Sequence, residues 1–272
     1  MFKTIERILN TSLEDFTWPR LRNAFLARIN DIPDKIAWYS KNKYARRNKE
    51  KLLLYKDRHV GKRCFIIGNG PSLRRMDLFR LKDEITFGLN RIYLYFETMG
   101  FQPTYFVSME DNLLKQFHHE IDELTMPKFV NWKYRNYFQQ QQNIALIKHS
   151  FRPKFETDLT RPNWSGATVT YNCMQIAYYM GFKEVILIGV DHNFSADGYA
   201  GQAIVANESD PNHFDPNYFP KGCVWRLPDY VTMEMGYRMA KDAFEADGRE
   251  IIDATLDGKL KIFRKTEYES IF

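Results

Sequence analysis

The sequence is poor in cysteine and has no long hydrophobic run. Its three cysteines, Cys64, Cys173 and Cys223, lack metal-binding spacing, and an odd number without a secretory leader is typical of the reducing cytoplasm. The first residues, MFKTIERILN, contain no apolar leader core. No apolar run approaches the ~20 residues that span a bilayer. We therefore expect a cytoplasmic protein.

Several catalytic motifs are absent as well. The 272 residues contain no GxxxxGK[ST] phosphate loop, no HExxH zinc helix, no CxxC pair and no GxSxG elbow. The glycines that follow the first predicted strand do not form a GxGxxG fingerprint either. These absences disfavour P-loop hydrolysis, zinc chemistry and hydride transfer. The chain also shows no internal repeats and no low-complexity tract.

Positive charge is concentrated near the N-terminus. Residues 1–63 contain 16 Lys/Arg and 7 Asp/Glu, a net charge of +9, whereas the whole chain carries +5. Because basic residues are not spread over the fold among aromatic ones, a nucleic-acid partner is disfavoured. Two interpretations of the basic segment remain. One is peripheral contact with an anionic membrane at its inner face, and the other is a solvated helical arm.

The pattern of apolar residues divides the chain into two parts. Residues 1–60 are polar and helical in pattern, and they predict a basic N-terminal arm. Over residues 61–272, apolar runs alternate with helical stretches such as 168–180 and 230–247. The runs are CFII, EITFGLN, TYFVSM, KFVNW, NIALI, EVILIGVD and EIIDA. This alternation predicts an α/β, Rossmann-like domain with a mostly parallel sheet flanked by helices.

A long segment with little periodicity, residues 192–229, is rich in Gly, Pro, Asn and Asp. Segments of this length without regular structure in a compact domain are usually functional, so we interpret it as a lid-like loop region. Its six aromatic residues argue against the alternative, a disordered loop.

The stretch RCFIIGNGPSL predicts a buried strand, a turn and a helix start. Gly68 and Gly70 permit backbone angles and a close ligand approach that other residues do not. Pro71 suits a first helical position, and the hydroxyl of Ser72 lies at the same end. Free N–H groups at a helix start beside the carboxyl end of a strand favour an anion such as phosphate. The alternative is a tight structural turn.

Polar residues also end other predicted strands and start another helix. The sequence from Ser165 to Thr168 predicts a helix cap, and the strand after that helix ends in Asp191. Asn90 and Glu110 end two further strands. We interpret Asp191 as a ribose, sugar or metal ligand, with a simple helix cap as the alternative. Parallel strands bring such ends together, so we expect one shared site.

The histidines differ in their sequence context. His213 lies inside the predicted lid, and the unperturbed pKa of histidine is near neutrality, so His213 is a candidate general base. The alternative is a loop histidine without a role. His192 directly follows Asp191, whereas His59 and His149 fall near loops without an evident partner.

The early GNGPSL, the asparagine at the next strand end and the block SGATVTYNCMQIAYYMGFKEVILIGVD together resemble a family of bacterial sialyltransferases. In that family the corresponding blocks build a CMP-sugar site. The same blocks are similar to the Maf flagellin-modifying transferases. They are also similar to a family that includes archaeal 6-hydroxymethylpterin diphosphokinases, called MptE-like. The resemblance extends over about residues 58–200.

The resemblance implies a nucleotide site. Its phosphate and ribose contacts would come from the first turn, and its other contacts from the later strand and helix ends. The implied residues are Gly68, Asn69, Gly70, Pro71, Ser72, Asn90, Glu110, Ser165, Gly166, Thr168 and Asp191.

The resemblance also implies catalytic residues. His213 matches the family's lid histidine, although its spacing differs, and Tyr199 falls near a tyrosine that steadies the departing phosphate. Asn193 stands where the second such tyrosine would fall, so that tyrosine is either missing or supplied from elsewhere in the chain, with Tyr218 as the candidate.

The implied function is transfer of a CMP-activated nonulosonic or sialic-type acid to a cell-surface glycan or glycolipid, with no metal or other cofactor. A homo-oligomer is compatible with the sequence. One alternative is an ATP-dependent diphosphokinase of the 6-hydroxymethylpterin type, whose Mg²⁺ would be held by Glu110, Asp111 and Asp191. A second alternative is a non-catalytic nucleotide-binding module.

Overall fold

The computed structural model describes residues 18–139, 141–194 and 197–272. The first 17 residues of the predicted arm therefore lie outside the described part. The α-helices of the described residues are α1 (Trp18–Asn30), α2 (Ile32–Tyr39), α3 (Lys43–Leu53), α4 (Phe96–Met99), α5 (Asp111–Glu123), α6 (Val169–Tyr179) and α7 (Tyr230–Ala246). The last two confirm the predicted helical stretches 168–180 and 230–247.

The strands of the described residues number twelve. They are β1 (Arg63–Ile67), β2 (Thr86–Leu89), β3 (Tyr105–Ser108), β4 (Lys128–Asn131), β5 (Ile144–Ile147), β6 (His149–Ser150), β7 (Asn163–Trp164), β8 (Glu184–Ile188), β9 (Ala203–Val205), β10 (Val224–Arg226), β11 (Glu250–Asp253) and β12 (Arg264–Lys265). Short 3₁₀ helices, among them Pro71–Arg75, connect several of them.

Eight strands form one sheet in the order β12-β11-β8-β1-β2-β3-β4-β5, and every neighbouring pair is parallel. The central strands are apolar along nearly their whole length and are buried, as expected when helices cover both faces of a parallel sheet. The predicted Rossmann-like α/β fold is confirmed.

The strand order reverses between β1 and β8. From β1 the chain builds the sheet outward to β5, and it then returns to place β8 on the other side of β1, with Ile67 opposite Ile188. The chain continues from β1 to β2 and later from β8 to β11, and these two strands lie on opposite sides of the β1–β8 pair. Open α/β sheets bind their ligands at this point.

The predicted lid-like region contains more regular structure than its sequence indicates. Strands β9 and β10 pair antiparallel, with Ile204 opposite Trp225. Each strand has only three residues, too few for an alternating pattern to stand out among the turn-forming residues. The residues between these two strands form a compact loop that lies at the sheet's carboxyl edge.

The chain separates into two compact units, residues 1–45 and 46–272. Within the described part of the first unit, apolar side chains with exposed surface recur at helical spacing on α1 and α2. They include Trp18, Phe25, Ile29, Ile32 and Ile36. Among the described helices, none combines the length and the apolar character that crossing a membrane requires. Contact of the arm with a membrane surface stays a prediction.

Candidate functional site

A cavity of about 410 Å³ lies at the strand reversal. The residues that follow β1, β2, β3 and β8 form one side of it. The start of α6 and the loop between β9 and β10 form the other side. Ten of the predicted site residues line this cavity: Gly68, Asn69, Gly70, Asn90, Glu110, Ser165, Thr168, Asp191, His213 and Tyr218.

Four predicted site residues do not line the cavity. Pro71, Ser72 and Gly166 are absent from its walls. Tyr199 is 58% exposed and lines a neighbouring cavity of about 310 Å³, which shares Phe194, Leu227, Pro228 and Asp229 with the main one. Tyr199 therefore lies beside the main cavity and not in its wall.

The turn after β1 differs from the predicted helix start. Pro71–Arg75 is a 3₁₀ helix of five residues, not an α-helix. The N–H groups of Gly68 and Gly70 donate to the carbonyls of Ile188 and Gly189, at 2.8 and 2.9 Å. At the helix start itself, the N–H of Leu73 donates to the carbonyl of Gly70 at 3.2 Å and that of Ser72 donates to Asp191, so the N–H groups predicted to be free there are bonded within the protein.

The glycines of this turn have a packing role. A Cβ atom on Gly68 would lie 2.3 Å from the carbonyl oxygen of Gly189, and one on Gly70 would lie 1.8 Å from Oδ2 of Asp191. No larger residue fits at either position without displacing the turn after β8. The close approach that these glycines permit is thus made by the protein's own chain.

Asp191 joins the two turns. Ser72 donates twice to its carboxylate, through the backbone N–H at 3.1 Å and through Oγ at 2.7 Å. The N–H and the hydroxyl of Ser72 thus donate within the protein in this structure, and its contact with a nucleotide stays a prediction. Burial raises the pKa of Asp191 above its ordinary value, and the bonds from Ser72 oppose that rise.

The polar residues after β2 and β3 are also bonded within the protein. Asn90 Oδ1 accepts from Ser108 Oγ at 3.2 Å. Glu110 caps α5 by accepting from the N–H of Leu113 at 2.7 Å, and burial raises its pKa. Asp111 is paired with Lys133 at 2.7 Å. Within the described ranges, no group of three or more His, Cys, Asp or Glu side chains is arranged to hold a metal ion.

Strained backbone is concentrated at the cavity. Five described residues other than glycine have a left-handed φ, and three of them, Asn90, Ala167 and His192, line the cavity, with φ of 51°, 56° and 54°. Such conformations cost free energy and cluster at functional sites. The strain supports the assignment of this cavity as the site.

The start of α6 forms the next part of the wall. Thr168 caps the helix by accepting from the N–H of Thr170 at 3.3 Å, as the sequence predicted for this segment. Ser165 Oγ lies 3.0 Å from Nδ1 of His149. The expectation that His149 and His59 lack partners is wrong, because β6 and β7 pair and bring His149 beside Ser165, and Nε2 of His59 lies 2.8 Å from the hydroxyl of Tyr105.

The loop after β9 contains a histidine–carboxylate pair. Nδ1 of His213 lies 2.7 Å from Oδ2 of Asp210, whose side chain is 4% exposed. The carboxylate of Asp210 can only accept a hydrogen bond, so Nδ1 of His213 carries the proton and is the donor. The imidazole is stacked on the ring of Tyr218, with 3.9 Å between centroids and 4° between planes. The ring of His213 is therefore fixed in position and in tautomer.

The His213 loop is fastened to the sheet. The N–H of Phe214 donates to the carbonyl of Asn69 at 2.9 Å. The guanidinium of Arg74 donates to the carbonyls of His213 and Phe214. The guanidinium of Arg91 donates to the carbonyl of Tyr218. The turn after β1 thus positions the candidate base across the cavity.

Two further residues of the site were not predicted from the sequence: Asp210, which contacts His213, and Asn172, which lines the cavity. Asp210 precedes His213 by three residues, and Asx-type turns at such spacing are a recognisable signal. Asn172 lies on α6 in the apolar stretch TYNCMQIAYYM, where a buried amide is unusual. Its burial depends on how α6 packs, which the local sequence does not specify.

The family assignment follows from sequence comparison. Residues 38–197, more than half of the chain, match the family model described as 6-hydroxymethylpterin diphosphokinase MptE-like. The chain belongs to the MptE-like family. The predicted resemblance to the MptE-like family is thereby confirmed. No curated protein sequence matches the chain.

A solved structure is similar to this MptE-like chain. It is the Maf glycosyltransferase from Magnetospirillum magneticum AMB-1, with a TM-score of 0.50 and 16% sequence identity. The alignment covers 93% of this chain and 43% of the Maf chain. At this identity the similarity shows a shared fold, and this chain spans less than half of the Maf chain's length.

Proposed function

We propose that this MptE-like protein is a transferase that moves a sugar from a nucleotide-activated donor to an acceptor hydroxyl. The observation that carries the proposal is the His213–Asp210 pair, because His213 lines the cavity at the strand reversal and the buried Asp210 orients its ring. A histidine whose tautomer is fixed by a buried carboxylate is the common arrangement of a general base.

In the proposed reaction, Nδ1 of His213 carries the ring proton, so Nε2 has a free lone pair and can accept a proton. Nε2 takes the proton of the acceptor hydroxyl as the hydroxyl oxygen bonds to the anomeric carbon of the donor sugar. The bond between that carbon and the phosphate oxygen breaks, and the nucleotide leaves with the electron pair. Asp210 stabilises the imidazolium that forms.

The start of α6 is proposed to stabilise the departing nucleotide. This helix has eleven residues, and the positive end of its dipole, with Ser165 and Thr168, borders the cavity. The hydroxyl of Tyr218 accepts from the N–H of Arg91 at 3.3 Å, and its ring lies under His213. We assign Tyr218 to positioning the base, while Tyr199 stays a candidate for phosphate contact at the neighbouring cavity.

The donor is proposed to be a CMP-linked nonulosonic or sialic-type acid, and the acceptor a cell-surface glycan or glycolipid. Support comes from the resemblance of the GNGPSL and SGAT blocks and from Arg226, an arginine at the cavity wall that suits a sugar carboxylate.

The basic arm is proposed to bring the enzyme to the inner membrane face. Co-sedimentation with anionic vesicles should fall with salt, and binding that ignores salt would contradict this contact.

A diphosphokinase is the second candidate, because the matched family model carries that description. Glu110 and Asp191 line the cavity and accept hydrogen bonds from Leu113 and Ser72, and the remaining lone pairs of their carboxylates would be the ligands of Mg²⁺. Metal dependence therefore separates the two reactions.

Titration of the protein with CMP, CDP, UDP, GDP and ATP tests the proposal, in EDTA and in Mg²⁺. We expect CMP to bind most tightly and its affinity to be the same in both conditions. Binding of ATP alone, and only with Mg²⁺, would support the diphosphokinase. If none of the five nucleotides binds in either condition, both candidate functions are contradicted.

A further inference from the structure

Asn172 is a buried side chain without hydrogen bonds. It lies in the first turns of α6, is 2% exposed and lines the cavity. Neither its Oδ1 nor its Nδ2 has a partner among the described residues. Nearly all buried polar groups in native proteins are bonded, so an amide with both ends unpaired calls for an explanation.

A second amide on the same helix shows how α6 satisfies a buried polar group elsewhere. Gln175 is fully buried, yet its Oε1 accepts from the N–H of Glu156 at 2.8 Å and its Nε2 donates to the carbonyl of Trp164 at 2.9 Å. Gln175 is absent from the cavity wall. The unpaired amide is the one that borders the cavity.

The opposite wall carries another unpaired atom. Oδ1 of Asn69 is buried without a partner, and Asn69 also lines the cavity. One fully unpaired amide and a second unpaired amide oxygen at the same cavity indicate that the missing partners belong to a ligand. Because Asn172 presents a donor group, Nδ2, beside an acceptor group, Oδ1, a ligand that pairs with both must present an acceptor next to a donor. A phosphate has no donor when ionised and would leave Oδ1 unpaired.

We infer that the side-chain amide of Asn172 hydrogen-bonds to the heterocyclic base of the bound nucleotide. For a cytosine ring, the exocyclic amino group donates to Oδ1 and the ring nitrogen N3 accepts from Nδ2. This assignment rests on the proposed function, since it presumes a nucleotide in the cavity. By this contact, Asn172 would distinguish a nucleotide from a sugar phosphate that lacks a base.

The test uses Asn172→Leu, with Gln175→Leu as the matched control on the same helix. Asn172→Leu removes two unpaired atoms, so we expect its melting temperature to equal or exceed that of the wild type. Gln175→Leu leaves the N–H of Glu156 and the carbonyl of Trp164 unpaired, so we expect its melting temperature to fall. A fall for Asn172→Leu as large as that for Gln175→Leu would overturn the inference.

Ligand binding provides the second readout. We expect Asn172→Leu to weaken CMP about 10- to 100-fold, because two hydrogen bonds are lost, and to leave the affinity for ribose 5-phosphate unchanged. Equal loss for both ligands, or no loss for CMP, overturns the inference. If Asn172→Leu does not fold, Asn172→Ala gives the same comparison. Failure of CMP to bind the wild type would instead contradict the proposed function.

Discussion

The two histidines of the cavity differ in how they are held. His213 donates from Nδ1 to Asp210 at 2.7 Å and is stacked on Tyr218. His192 approaches Glu234 through Nε2 at 3.4 Å, and its Nδ1 is buried without a partner in the described chain. One ring is oriented by a short bond to a buried carboxylate, and the other by a long contact to a partly exposed one.

This difference shows which features make a histidine suitable as a base. Both residues border the cavity, and His192 is the one that follows the predicted ligand Asp191. Proximity in the sequence therefore favours His192, whereas the orientation of the ring favours His213. Burial also lowers the pKa of His192, which weakens it as a proton acceptor.

The largest effect is expected from His213→Ala. Without the base, turnover should fall about 10²–10⁴-fold while nucleotide affinity changes little. Steady-state rates and nucleotide titration measure the two quantities. His192→Asn is the control, because asparagine tolerates the left-handed backbone of that position, and we expect its turnover to stay within about threefold. The reverse pattern would place the base beside Asp191.

A smaller loss is expected from Asp210→Asn. The amide cannot hold Nδ1–H in the same way, so the tautomer of His213 is no longer fixed, and turnover should fall about 10- to 1000-fold. Circular dichroism and melting confirm that the loop stays folded. Turnover equal to that of the wild type would show that the carboxylate only shapes the Asp210–Phe214 turn.

Arg74→Ala tests whether the turn after β1 positions the base. Loss of its bonds to the carbonyls of His213 and Phe214 should lower turnover about tenfold by misplacing the ring. Arg75→Ala is the matched control, because the neighbouring guanidinium pairs with exposed Asp257 and should be neutral. Equal turnover of the two variants would show that the turn after β1 does not position His213 for the reaction.

The smallest effect concerns the pH dependence of stability. Because burial lowers the pKa of His192 in the folded chain, the unfolded chain binds more protons as the pH falls below about 6.5. The stability that neutral His192 contributes is therefore present above that pH and is lost below it. His192→Asn should show a shallower fall in melting temperature from pH 7 to pH 5. Parallel curves would mean that His192 does not titrate differently on folding.

Most of the fold could be predicted from the sequence. All seven apolar runs became strands of the main sheet, because four or five buried apolar residues bounded by turns leave few alternatives. The exposed two-residue strand β12 escaped prediction, since it carries no apolar signal. Strands β9 and β10 were also not predicted, because three residues are too few to show an alternating pattern.

The site was predictable in its location and less so in its interactions. Parallel topology requires the ends of β1, β2, β3 and β8 to meet, so Asn69, Asn90, Glu110 and Asp191 were found together. The sequence did not show that Asp191 would bind Ser72. Such pairing is set by the distance between two turns far apart in the chain, and local patterns do not contain it.

The most direct test of the account is the release of CMP from a CMP-linked sialic acid in EDTA, measured for wild type and for His213→Ala. We predict release by the wild type without added metal, and release at least about a hundredfold slower by the variant. Equal release by both proteins, or release by the wild type only when Mg²⁺ is supplied, would contradict a metal-independent transfer that uses His213 as its base.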